Sequence, residues 1–441
     1  MSAPPPFERP GSSSTGPGLF VLGLAIGLLF AWVVDRATRL FLDSELELVR
    51  NVRDLALEEF VSDVDSVELT DGALRGMLAG LDRYSRYYDA AEVSALDRET
   101  TGEFRGIGVV FRSGETGRVL FPYPGSPAER AGIAVGDRFL AIDGRPLQGL
   151  QPADLQSLIR GTGSEMVVSV EKLDGTRSEL ALEPAVVIDP TVRHARMEDE
   201  ERRIGYVAVV AFSHRTPREF DESVGGLRER GLEALIVDLR SNPGGILDAA
   251  VQVANRFVGE GTIVTTRTRE ETRVTEAIPE EAALKGVPLV VLVDEGSASA
   301  SEVLAGALQD HCAAVLVGEP TYGKGTVQTL RRIRHERGVV KLTTAVYSTP
   351  SGRRIEHDDG DARKSGIAPD LLVELDEQEK QEIQRFLFSY PPPDAALPAL
   401  REWEAREGVT LVEDPPQDRQ LECAVALLAG APLDVHGEAL R

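Results

Sequence analysis

Cysteine is scarce in this sequence: only Cys312 and Cys423 occur in 441 residues. Two thiols make neither a spaced framework nor a metal motif, so a disulfide-stapled scaffold and a cysteine-ligated zinc module are excluded, and at most one bridge remains open. Histidine is also rare, with six in the chain and none in a recognisable catalytic-triad signature. Positive charge falls short too, since 48 Lys and Arg face 72 Asp and Glu for a net charge of −24. Such a surface repels a phosphate backbone, which excludes a general nucleic-acid binder. The basic run "RRIRHERG" from Arg331 reads as a solvated strand-and-turn edge. A "G-x-S-x-G" nucleophile elbow is missing as well, and there is no tandem repeat.

Long apolar runs are absent with one exception. "GLFVLGLAIGLLFAWVV", Gly18 to Val34, carries no charge across seventeen residues, just enough for a helix to span a bilayer. It follows a Pro/Ser/Gly-rich tail and is not succeeded by a small-x-small cleavage site, so it reads as an uncleaved transmembrane signal anchor rather than a cleaved signal. Flanking charges, Glu8 and Arg9 before it and Asp35, Arg36 and Arg39 after it, do not set its orientation.

The remainder is ordinary globular sequence, 42% hydrophobic and 27% charged, long enough for two to four domains. Residues 40–100 read as helices, with Leu46, Val49, Val52 and Leu55 at helical spacing. "GIGVVF", "GDRFLAIDGRPL" and "EMVVSVEKLDGTRSELAL" are short β-type runs divided by Asp-Gly turns, with one short helix at "PADLQSLIRG". They predict a β-rich module over 101–182. From Arg203 the strands "IGYVAVVAF", "LEALIVDLR", "GVPLVVLVD" and "AAVLVGE" alternate with helices. This predicts an α/β core over 190–375, in which ligands meet the ends of strands. An acidic helical extension follows over 376–441.

One stretch of that core invites chemistry. In "DEGSASASEVLAGALQD", Asp294 to Asp310, a strand leads through a serine-rich turn into a helix with Val303, Leu304, Ala307 and Leu308 on one face. A serine there sits where unpaired helical N–H groups stabilise an oxyanion. Taken alone, Ser297, Ser299 and Ser301 could as well be caps. A histidine base has no support, and His311 reads as a C-terminal cap. Lysine is the alternative: "GEPTYGKGTVQ" offers Lys324 between Gly323 and Gly325. The same loop fits most of a phosphate-binding pattern. Gly325 stands where that pattern needs Ser or Thr, however, and the following "TVQTLRRI" reads as a strand, so nucleotide binding is set aside.

"GSASASEVLAGALQD" followed by "GEPTYGKGTVQT" resembles the active-site signature of the carboxy-terminal processing proteases, also called tail-specific proteases. "LDRYSRYYD" at Leu81, "TGEFRGIGV" at Thr101, "DLRSNPGG" at Asp238 and "VYSTPSGRRIE" at Val346 extend the resemblance from about Val49 to Leu375. It implies a multi-domain α/β fold: a mixed α/β, crotonase-like serine protease core with an inserted β-rich PDZ domain and helical flanking regions. It implies Ser299 as nucleophile, Lys324 as general base and Gln328, on the same face of an extended segment, as the residue orienting the lysine. The amides of Gly245 and Ala300 would form the oxyanion hole, and Asp310 would play a supporting role. Ser297 and Ser301 would then be turn and cap residues. The loop Arg105, Gly106, Ile107, Gly108 and Val109 would present amides to a substrate's terminal carboxylate.

Independent chemistry agrees. Lysine is a base only when neutral, and lowering its ordinary value by about three units needs about 4 kcal/mol of differential interaction, supplied by desolvation. The whole reading is a serine endopeptidase anchored in the bacterial inner membrane with its catalytic part on the periplasmic side. It would cleave proteins near apolar C-terminal tails, with no cofactor and no metal, and a homo-oligomer or adaptor protein is left open. The rivals are a catalytically silent PDZ-containing membrane scaffold or adaptor, which Ser299, Lys324 and Gln328 together oppose, and a soluble ligand-binding α/β protein, which leaves the "GKG" loop unexplained.

Overall fold

A computed structural model of the chain describes residues 29–30, 32, 46–112, 114–150, 154–155, 158–159, 165–333, 338–357, 366–412 and 414–431. The apolar run Gly18–Val34 lies almost wholly outside them. No helix among the described residues is long and apolar enough to cross a membrane. Residues up to Arg83 form one compact unit and Tyr84–Arg441 another.

In the first unit, helices run over 46–59 and Ser66–Ala79. The second is started by Asp65, whose carboxylate accepts from the amides of Val67 and Glu68, satisfying two of the orphan donors of a helix N-terminus.

The second unit is built on a six-stranded sheet in the order Val192–Asp199, Ile204–Val209, Ala234–Asp238, Leu289–Val293, Val315–Gly318, Leu371–Leu372. The first pair is antiparallel and all later pairs are parallel. The three central strands are buried at every position, which is why they read as continuous apolar runs rather than alternating ones. On one face Val207, Val237 and Val291 pack with Phe220, Val253, Leu304 and Leu308 from helices Thr216–Glu229, Leu247–Asn255 and Ala300–Asp310. On the other, Tyr206, Ile236 and Leu292 pack with Ile383, Leu387, Leu421 and Ala424 from helices Glu377–Phe388 and Arg419–Leu428. The acidic C-terminal extension is therefore the third layer of the core, a role its charged composition concealed.

A second sheet joins Arg86–Asp89, Gly338–Ser348, Thr262–Thr268 and Thr272–Glu276, with Thr326–Arg332 also pairing on Gly338–Ser348. Its first strand corrects the expectation that 40–100 is wholly helical. "RYYD" pairs antiparallel with Gly338–Lys341 and buries Tyr87, so a contact distant in sequence overrides the local pattern. The basic run "RRIRHERG" begins in the strand Thr326–Arg332, where Arg331 and Arg332 are exposed; residues 334–337 lie outside the described ones. No disulfide joins Cys312, which is exposed, and Cys423, which is buried.

The β-rich module forms its own core from Ile107, Val119, Phe139, Val168 and Val170. Its outer side, through Phe121 and Val135, packs on Leu400 and Trp403 of the helix Leu397–Glu407. The extension thus touches both the module and the core.

His194 links core and extension. It takes a left-handed backbone (φ 54°) and stacks on Phe386 with ring centroids 4.2 Å apart. Burial, aided by Arg196 and Arg193, pushes its pKa down from 6.5 to about 4. The unfolded chain then takes up this proton first as pH falls. About 3 kcal/mol of stability, fully present above pH 6.5, should be lost by pH 4. His194→Asn tolerates the same backbone without titrating there. Its urea-unfolding free energy should fall by that much less than the wild type's over this window; parallel curves would contradict the assignment.

Candidate active site

Two loops meet at the carboxyl ends of neighbouring parallel strands, the common location for a site in such a sheet. After Ala234–Asp238 comes "LRSNPGG"; after Leu289–Val293 comes "DEGSASA". The half-buried Asp294 ties them, its carboxylate accepting from the amides of Ser241 (2.7 Å), Gly296 (2.9 Å) and Ser297 (3.0 Å). Burial pushes its pKa up against those hydrogen bonds. Ser297 Oγ donates to Leu239 O, and Ser301 Oγ and the Ala298 amide both donate to Asn242 O. Ser297 is the turn residue expected, its amide donating to Asp294 O and its Oγ accepting from Asp294 N, and it also ties the turn to the neighbouring loop; Ser301 spends its hydroxyl on that loop rather than on a cap.

Ser299 alone keeps a half-exposed position, between Ala298 and Ala300, which are both buried. Its backbone is strained, with φ 58° and ψ −114°, an outlier of the kind that clusters at functional sites. It stands at the N-cap of Ala300–Asp310. The opposing loop approaches so closely that a Cβ on Gly244 would lie 2.8 Å from Ser299 Cβ and 2.9 Å from Ala300 N. Gly244 donates its amide to Asn242 Oδ1 (2.8 Å), whereas among the described residues neither the Gly245 nor the Ala300 N–H meets an acceptor. Gly245 must itself be glycine, because a Cβ there would lie 2.1 Å from Phe212 O.

Lys324 arrives on a loop pressed against Ile355–His357. Cβ atoms on Gly323 and Gly325 would lie 2.3 Å from Glu356 O and 2.0 Å from Ile355 O, so both flanking residues have to be glycine. The loop is joined to the serine turn by Glu302, fully buried in the first helical turn. Its carboxylate accepts from Ser299 N (2.7 Å), Thr321 Oγ1 (2.6 Å), Gly323 N (2.7 Å) and Lys324 N (2.8 Å). Burial raises its pKa and these four donors oppose the rise. Tyr347 makes a second bridge: its hydroxyl donates a short hydrogen bond to Lys324 O and also meets the Ser299 side chain. Burial first, and then the Glu302 charge, hold this phenol neutral, well above its ordinary pKa. Lys324 Nζ lies over the ring of Tyr84, 5.1 Å from its centroid.

The other sequence candidates fall as follows. Gln328 stands on Thr326–Arg332, opposite a bulge of Gly338–Ser348 at Thr344, and its Nε2 donates to Thr326 Oγ1 (2.8 Å) and Thr343 Oγ1 (3.4 Å). Lys324 precedes this strand, so a face shared with Gln328 does not follow from strand alternation. Asp310 sits at the far end of the eleven-residue helix from Ser299, about 15 Å away along its axis. There it accepts from Ser351 N (2.9 Å) and Arg353 (3.2 Å), which together with Thr349 lower its pKa against burial. His311 caps that helix and contacts Thr262 O. In the module, Gly106 closes the strand Glu103–Gly106 and Val109 opens Val109–Phe111. Ile107 O and Gly108 O accept from Ala128 and Tyr123, and Arg105 is exposed. Glu302 was foreshadowed by the S-x-x-E spacing of a capping box. Gly244, Tyr347 and Tyr84 carried no comparable local signal. No cluster of three His, Cys, Asp or Glu able to hold a metal occurs among the described residues.

Comparison with known proteins identifies the family. The Peptidase family S41 model matches residues 203–373, a PDZ domain model matches 119–172, and a model described as the activating protease CtpB N-terminal domain matches 34–92. A carboxy-terminal-processing protease of Bartonella bacilliformis is 32% identical over 381 residues, covering 84% of this chain and 85% of the relative. The chain belongs to the carboxy-terminal-processing proteases. A second relative, the carboxy-terminal processing protease CtpA of Bacillus subtilis, is 32% identical over 344 residues, 77% of this chain and 71% of that one. Among solved structures, the photosystem II D1 C-terminal processing protease aligns with TM-score 0.43 at 30% identity, covering 78% of this chain and 91% of that one. The protein is thus an S41 serine peptidase, a mixed α/β fold with a PDZ domain.

In this protease the side chain missing at Gly244 leaves the space beside Ser299. Gly244→Ala would press a methyl group against Ser299 Cβ and Ala300 N and push the two loops apart; it should lower the rate of fluorophosphonate labelling by about a hundredfold or more, the size of effect seen when a preorganised donor is lost. Gly286, also at positive φ but with nothing within 4 Å of an added Cβ, provides the control for backbone strain. Gly286→Ala should label at the wild-type rate, and equal losses in both variants would contradict the role given to Gly244.

Proposed function

We propose that this protease works with a Ser299–Lys324 pair and selects substrates by their free C-termini. The observation that carries the reading is Glu302, whose one carboxylate accepts from the backbone amides of both Ser299 and Lys324. A residue that fixes both backbones makes sense where both side chains must act together. Neutral Lys324 takes the Ser299 hydroxyl proton as Oγ attacks the substrate carbonyl. The developing oxyanion is received by the amides of Gly245 and Ala300. The lysine ammonium then protonates the departing amine, and water resolves the acyl-enzyme with the same lysine as base. Gln328 orients Lys324 once substrate fills the site.

The PDZ loop Arg105–Val109 captures the carboxylate of an apolar tail, which adds as a strand beside Val109–Phe111. The uncharged run Gly18–Val34 supports anchoring in a membrane; the family resemblance, not the run, is what favours the bacterial inner membrane with the peptidase on the periplasmic side.

The test is cleavage of an unfolded protein bearing an apolar C-terminal tail, free or amidated, by the wild type, Ser299→Ala and Lys324→Ala. Both variants should lose turnover by at least about a thousandfold while binding the free tail with unchanged affinity, and amidation should raise KM. Lys324→Ala turning over at the wild-type rate would contradict the pair. Tail binding without cleavage by the wild type would favour an adaptor.

A further inference from the structure

The loop that borders Ser299 is held from behind by the C-terminal extension. Arg240 lies two residues before Asn242 and is buried, its side chain only 2% exposed. It begins the turn whose amides flank the nucleophile, and it is clamped on two sides. Asp238 of its own strand accepts from Nε (3.0 Å) and from one terminal nitrogen (2.6 Å). Asp418, 178 residues on, accepts from both terminal nitrogens at 2.9 and 2.6 Å, a bidentate pairing that fixes the guanidinium plane. Gln420 Oε1 adds a further acceptor at 3.1 Å, while its Nε2 donates to Val373 O. Tyr206 donates to Asp238 Oδ2. Burial opposes the charge on Arg240, but the two carboxylates outweigh it and hold its pKa well above the ordinary value.

Asp418 is simultaneously the N-cap of Arg419–Leu428, accepting from the amides of Gln420 and Leu421. A cap needs only one oxygen, so the salt bridge to Arg240 is an additional function of the same side chain. The chain then runs from Arg240 through Ser241, whose φ is 57° and whose amide is tied to Asp294, to Asn242. Asn242 O holds the Ala298 amide and Ser301 Oγ, and Asn242 Oδ1 holds Gly244 N. A small rotation of the guanidinium would be passed directly to the amides facing the substrate, and sub-ångström placement matters there.

We propose that Asp418 is a positioning residue for catalysis: through Arg240 it sets the Asn242–Gly245 loop against Ser299, so the C-terminal extension completes the active site. This rests on the Ser299 reading above. The geometry gives the extension a catalytic duty beyond covering the sheet, and it predicts that losing the Asp418 charge slows chemistry without weakening substrate capture.

The test uses the full chain and two readouts, fluorophosphonate labelling of Ser299 and steady-state cleavage of a peptide with a free apolar tail. Asp418→Asn keeps the shape and one capping oxygen. It should lower kcat and the labelling rate by about tenfold or more, with KM within about twofold. Gln420→Leu leaves both carboxylates and should lower kcat by about threefold. Leu421→Ala, which unloads the same helix from the core without touching Arg240, should lower the melting temperature but leave kcat of the folded enzyme unchanged. Wild-type kcat in Asp418→Asn, or an equal loss in Leu421→Ala, overturns the proposal. If Asp418→Asn does not fold, wild-type kcat in Gln420→Leu overturns it. A wild type that is not labelled at Ser299 removes the dyad reading and this proposal together. A labelled wild type with an unaltered Asp418→Asn removes only the latter.

Discussion

A single buried carboxylate determines the layout of this active site. Glu302 is fully buried, and burying an ionised group is costly unless each of its lone pairs is met. Here they are met by donors from two separate segments, the Ser299 amide on one side and Thr321, Gly323 and Lys324 on the other. The desolvation that makes the carboxylate expensive also makes these bonds strong. Withdrawing the Lys324 loop would strand the charge, so the two halves of the site are coupled by the penalty for separating them.

The remaining features are consequences of bringing three pieces of backbone so close. Ser299 accepts a strained φ and ψ. Gly244, Gly323 and Gly325 sit where any Cβ would strike neighbouring main chain. The serines beside the nucleophile give up their hydroxyls to loop carbonyls. Behind this layer the parallel strands deliver both loops to one edge of the sheet, and Arg240 with Asp418 closes the back of the site. Within this turn Ser299 is half-exposed between two buried alanines, and Gly245 of the facing loop is exposed beside it.

What could be read from the sequence was what is local. The strands Ala234–Asp238 and Leu289–Val293 are unbroken apolar runs, and Ser299 and Lys324 stand in short glycine-marked motifs; the steric reasons for Gly296, Gly323 and Gly325 lie elsewhere in the chain, at Ser241, Glu356 and Ile355. What escaped was distant pairing. Arg86–Asp89 is a strand because Gly338–Lys341 lies beside it, although its surroundings have helical spacing. Tyr347 reaches Ser299 from the separate strand Gly338–Ser348, where its amide donates to Gly325 O. The bulge opposite Gln328 has no compositional signature. The C-terminal extension looked like an acidic appendage because its charged residues outnumber the few buried ones, Ile383, Leu387, Leu421 and Ala424, that make it a core layer. Its contact with Arg240 spans 178 residues, beyond any local pattern.

The account stands on Glu302 as the pin between Ser299 and Lys324, the proposed catalytic pair, and Glu302→Gln addresses it most directly. The substitution keeps the volume but turns one acceptor into a donor facing donors. With folding verified by its melting transition, the account predicts that labelling of Ser299 falls by about a hundredfold or more while the PDZ domain still binds a free apolar tail. A folded Glu302→Gln enzyme that labels at the wild-type rate would contradict it.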